Sequence, residues 1–159
     1  MKKFLLISFL ATIISCAQQQ DTKPLEDRID SLENKLSQTY KPGLGEFMSS
    51  IQVHHNKLWF AGENSNWPLA DFEIHEIMES LDDIRTFASD RKEVGMIGMI
   101  NAPLDSVNYS ITKKDTALFR KAFVNLTYTC NGCHQNNNFG FNVVKIPTTP
   151  PFSNQDFKK

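Results

Sequence analysis

Cys130, Asn131, Gly132, Cys133 and His134 stand near the carboxyl end of a 159-residue chain, and their C-x-x-C-H spacing reads as a c-type haem attachment site. Two thiols three apart on a helical turn can add across the two vinyl groups of a haem, and the adjacent imidazole then reaches the iron as its proximal ligand. The motif implies one covalent haem c. Two other readings compete for the same residues. A thioredoxin-type redox pair opens a helix after a strand, whereas Cys130 follows a long helical pattern and no βαβ pattern is visible. Half of a zinc site would need two further ligands at short spacing, and outside the motif the mature chain offers only His54, His55 and His75, far upstream.

Haem attachment requires export, and the first residues supply a signal for it. Lys2 and Lys3 form a positive region, Phe4 to Ile14 an apolar one, and Ile13-Ile14-Ser15-Cys16 resembles a bacterial lipobox, in which the cysteine is lipidated and becomes the new amino terminus. Residues 1–15 are thus expected to be a lipoprotein signal peptide, too short for a lasting transmembrane helix. An ordinary cleaved signal peptide predicts the same export without the lipid. The expected location is the bacterial cell envelope, on the periplasmic side or the cell surface, with the membrane reached through lipidated Cys16. One of the three cysteines belongs to the lipobox and two to the haem motif, which leaves none for a structural disulfide. The 17 basic residues against 18 acidic ones give no basic stripe, and this excludes nucleic acid as a partner.

The elements that must position the motif are helical, and the fold class expected is all-α. Residues 16–43 read as a tether followed by a short amphipathic helix: Ala17 to Pro24 is polar and Gln-rich, and Leu25, Ile29, Leu32 and Leu36 then recur at spacings of four and three. Two heptads are too few to establish a coiled coil, and the modest reading is a helix that packs on the domain or spaces it from the membrane. Pro42 and Gly43 end it.

Residues 44–159 read as the haem-binding domain. Leu44, Met48, Ile51, His55, Leu58 and Gly62 lie along one narrow stripe of a first helix. Asn66-Trp67-Pro68 signals the start of a second, with a cap and a proline in the first turn, which buries Ala70, Ile74, Ile77, Leu81, Ile84 and Ala88. A third, broken helix is expected from about Glu93 to Ile111, interrupted by Gly95, Gly98 and Pro103. Thr112 or Asp115 caps the fourth, whose stripe holds Phe119, Ala122, Phe123, Leu126, Cys130 and Cys133. Both thiols then face the core, with Phe123 and Leu126 packing against the haem. Beyond Asn138 the chain turns extended and proline-rich, and its phenylalanines predict a tail that folds back to shield one haem edge.

Four helices with Cys130-x-x-Cys133-His134 at the end of the last resemble the cytochrome c′ group of class II c-type cytochromes, an antiparallel four-helix bundle. The chain is also similar to a set of bacterial monohaem proteins with stretches like Lys57-Leu58-Trp59-Phe60-Ala61-Gly62, Asn66-Trp67 and the proline-rich end, a likeness that implies no particular activity. The resemblance to the cytochrome c′ group implies His134 as proximal ligand and an apolar side chain over the opposite face of the iron. His55 departs from that pattern. A neutral imidazole in the first helix's stripe could be the sixth ligand, with Met48 as the alternative if the helix ends are flush; a core histidine satisfied by a hydrogen bond is the plain reading. His54 and His75 lie off the stripes and are expected to be peripheral.

Two functions follow from the sixth position. If it is filled, the chain is an electron carrier serving redox partner proteins of the envelope; if it is open, the chain captures small diatomic gases such as nitric oxide or carbon monoxide. A homodimer is compatible with either. A third class is an envelope interaction protein with the Leu25 to Leu36 helix as its active surface. No Ser/His/Asp set or carboxylate pair at useful spacing points to hydrolytic catalysis, and no enzyme is expected.

Overall fold

A computed structural model describes residues 21–158, and all regular structure among them is helical. The signal segment, Cys16 and the first part of the tether lie outside the described residues. The chain divides into two units between Tyr40 and Lys41. In the first, α1 (Lys23–Ser37) starts with Pro24 in its first turn and has no buried residue.

The second unit opens with α2 (Leu44–Glu63). Glu46 reaches back to accept from the Gly43 amide at 2.9 Å, which satisfies a donor that the first turn would leave bare. At the other end Ser65 takes a left-handed φ of 55°, and the chain reverses into α3 (Trp67–Phe87). The expected Asn66 side-chain cap is not formed. Trp67 anchors this end instead: its ring is buried and meets Phe119 edge-on at 6.3 Å. The residues assigned to the face of α3, Ala70 through Ala88 at helical spacing, are buried as the period requires.

The expected broken helix separates into two elements. Lys92–Ile100 winds as a 3₁₀ helix and Asn101–Lys113 as α4, with Pro103 in its first turn, where its missing N–H leaves no hydrogen bond unmade. Gly95 and Gly98 fall in the tighter element, where a regular α-helix would be weakest. Lys114, at φ 54°, closes α4, and Asp115 then caps α5 (Thr116–Asn136) by accepting from the Leu118 amide at 2.9 Å.

Helix α2 packs on α3, α3 on α4, α4 on α5, and α5 back on α2, while the 3₁₀ segment lies against α3, α4 and α5. Leu58, Ile74, Val107, Phe119 and Phe123 are fully enclosed between them. The approach of α2 to α5 is closest at Gly62, where an added Cβ would overlap the Phe119 ring. Among the described residues beyond α5 there is no helix, yet Phe157 is buried and its ring meets Phe60 of α2 at a tilt, centroids 5.7 Å apart.

Candidate functional site

The stripe of α2 is buried from His55 to Gly62, but Leu44, Met48 and Ile51 are only half covered. They line a cavity of about 340 Å³ that runs between the amino-terminal half of α2 and the carboxyl end of α5. Cys130, Cys133 and His134 line the same cavity, together with Leu126 and the apolar side chains of Ile77, Leu81, Ile97 and Ile100. A narrow hydrophobic stripe that fails to close against its neighbours is a cavity by construction, because no side chain is left to fill the gap.

His134 is oriented by the chain that follows it. Its Nδ1 donates to the Asn142 carbonyl at 2.7 Å, which leaves the lone pair on Nε2. The Phe139 amide returns a bond to the His134 carbonyl at 2.8 Å, and Asn131, inside the motif, locks the same segment. Its Nδ2 donates to the Val144 carbonyl and its Oδ1 accepts from the Val144 amide, both at 2.8 Å. Phe139, Asn142 and Val144 consequently form part of the cavity wall. Phe141 and Val143 of the same segment remain exposed.

Both sulfurs are uncharged at neutral pH. Burial first, and the neighbouring Cys133 second, push the Cys130 thiol up to about 12, and burial also raises Cys133. Thiol–disulfide catalysts need the reverse, a thiol lowered at a helix amino terminus. Here the pair sits in the last turns of α5, at the negative end of the helix dipole. Among the described residues no group of three or more His, Cys, Asp and Glu side chains is arranged to hold a bare metal ion. Two thiols and one oriented imidazole on a single apolar cavity do fit a haem, and Arg91 on the cavity's lining offers a guanidinium suited to a carboxylate. Arg91 is itself held by Glu93, at 3.1 and 3.3 Å. The Glu93 amide and then this guanidinium keep the Glu93 carboxyl below the usual carboxylate range.

His55, 4 % exposed, lines the same cavity from α2. Thr127 Oγ1 has one proton and gives it to the Phe123 carbonyl, so at 2.9 Å it accepts from Nε2–H of His55. The unprotonated nitrogen of His55 is therefore Nδ1. Burial lowers the pKa of this ring to about 4 and keeps it neutral. The Phe123 ring lies against it, centroid to centroid 4.4 Å. Leu126 and Met48 do line the cavity.

His75 is exposed and bonded to the Asp71 carbonyl, as its position off the stripe suggests. His54 is more involved than its position on the wheel indicates: Nδ1 meets Glu73 Oε2 at 2.6 Å, and Lys57 approaches the other carboxylate oxygen at 3.5 Å. Glu73 is fully buried on α3. A carboxylate buried between two helices requires such partners, and only the packing of α2 on α3 brings them together. Sequence reasoning missed Glu73, Arg91, Glu93 and the Asn131–Val144 clip. Their partners are set by tertiary contact or by the tail, and no spacing in the chain announces them. No protein-family model, curated protein or solved structure matches the chain.

Proposed function

We propose that the chain is a monohaem c-type cytochrome, an antiparallel four-helix bundle anchored in the cell envelope through Cys16, that carries single electrons between redox partner proteins. The observation that carries this reading is one cavity lined by Cys130, Cys133, His134 and, on the facing helix, His55 and Met48. The bundle is supported by the cycle of packed pairs α2–α3, α3–α4, α4–α5 and α5–α2 and by the short connections between successive helices.

Bound haem supplies a reversible one-electron change at iron. Cys130 and Cys133 would hold the group, each S–H adding across one vinyl C=C with no atom lost. His134 offers Nε2 because Asn142 holds its other nitrogen. His55 offers Nδ1 because Thr127 holds Nε2 by the same logic, and Ile77, Leu81, Ile97 and Ile100 make much of the cavity lining apolar. Two neutral imidazoles, each fixed by a partner behind it, are suited to a site that changes charge with little rearrangement. Met48 is the alternative to His55 on the same helix; its thioether as iron ligand would raise the reduction potential.

A second reading draws on the same His55 bond. The free nitrogen is the one nearest the backbone, with the shorter reach, and if the ring stays on Thr127 a haem held by His134 would be free to take nitric oxide, carbon monoxide or oxygen. Optical spectra of the matured protein separate the two. The carrier shows a low-spin spectrum in both oxidation states that is indifferent to carbon monoxide. His55→Ala turns it high-spin and gas-reactive while Met48→Ala does not; rapid gas uptake by the unmodified ferrous protein refutes the carrier and establishes the gas binder.

A further inference from the structure

Helix α1 presents an apolar stripe that nothing within the helix covers: Leu25, Ile29, Leu32 and Leu36 are between 45 and 64 % exposed. Fifteen residues are marginal for a helix standing alone, and an amphipathic one draws its stability from what covers its face. We propose that this face is a parallel, two-stranded interface with α1 of a second copy of the chain.

The spacing fixes the register. Steps of four, three and four put Ile29 and Leu36 at the a positions of a heptad and Leu25 and Leu32 at d, and β-branched Ile29 at one a position with leucine at both d positions favours two strands. The residues beside the seam then sort by charge. Arg28 and Lys35 occupy the g positions, Glu26 and Glu33 the e positions. In a parallel pair, g of one strand faces e of the next heptad on its partner, which sets Arg28 against Glu33 of the other copy, twice by symmetry. In an antiparallel pair g faces g and e faces e, so basic residues would oppose basic and acidic oppose acidic. The charge pattern thus selects one orientation and penalises the other. Asp21, which would begin the preceding g row, lies ahead of the first helical residue and outside the seam.

This inference is independent of the haem, since it rests on α1 alone. Its test is sedimentation equilibrium of the full chain in a density-matched detergent, followed by ultraviolet absorbance of the polypeptide so that the readout is the same with or without cofactor. The expected result is a reversible monomer–dimer equilibrium abolished by Ile29→Asp. Glu33→Arg alone and Arg28→Glu alone each weaken it by about fivefold, because two interstrand pairs become repulsive, and the double exchange recovers the original affinity to within about twofold. None of these residues belongs to the second unit. A monomer at every concentration, a dimer indifferent to Ile29→Asp, or single exchanges that tighten association would each overturn the proposal, the last by establishing the antiparallel arrangement.

Discussion

His55 and His134 carry their protons on opposite nitrogens, and in each case a single oxygen decides it. Thr127 Oγ1 takes the Nε2–H of His55, and the Asn142 carbonyl takes the Nδ1–H of His134. The motif made His134 legible from spacing alone, and helical period put His55 on the stripe. Neither could reveal the tautomers, which depend on oxygens 72 and 8 residues away. Burial has a consequence for acid stability in the haem-free chain. The folded pKa of His55 is lowered from 6.5 to about 4, so below pH 6.5 the unfolded chain takes up a proton that the folded one refuses. Stability is therefore unaffected above pH 6.5 and falls as pH drops toward 4, by about 3 kcal/mol across the window. Urea titrations of the haem-free protein at stepped pH should show this slope, and His55→Leu should flatten it; an unchanged slope in the variant would assign the loss elsewhere. Asn131 offers a second residue-scale check. Asn131→Ala removes both bonds to Val144 and should cost about 2 kcal/mol in denaturant unfolding, with faster proteolysis of the chain after Asn138. Equal protease sensitivity in the two proteins would show that the clip does not hold the tail.

The helices were more legible than what joins them. Leu44 as the start of α2, Asp115 as a cap and the buried faces of α3 and α5 follow from period and capping chemistry, which are local. The stretch from Lys92 to Ile100 was not readable as a 3₁₀ helix, because glycines weaken an α-helix without dictating its replacement, and packing on three neighbouring helices decides the outcome. Nor does an expected cap guarantee a capping bond: at Asn66 the burial of Trp67 anchors the helix start instead. Packing at element scale is most sensitive where α2 meets α5. Gly62→Ala places a methyl in the Phe119 ring and should destabilise by about 2 kcal/mol despite the better helix propensity of alanine, read as a lowered melting temperature. Gly45→Ala, on the same helix with open space around it, should show no loss, and an equal drop in both would refute the close-approach explanation. Asp115→Ala should cost about 1 kcal/mol by stripping the Leu118 amide of its acceptor.

At the scale of the molecule, an all-α chain leaves one stretch of the α2 stripe unfilled and aims the end of α5 at the gap. The fold class was readable because every apolar repeat in the second unit has helical period. The cavity was not, since it arises from the mismatch between a narrow stripe and its neighbours and appears only once the helices are packed. The central consequence of the proposed function is a pigment bonded through sulfur. The most direct test is to express the chain with a working haem-maturation apparatus, extract it with acidified acetone and record the pyridine haemochrome spectrum of the polypeptide that remains. The account predicts a coloured polypeptide with the spectrum of a haem bearing two thioethers, and loss of that colour in the Cys130→Ala, Cys133→Ala double variant. A colourless protein, or a pigment that leaves entirely with the solvent, would contradict it.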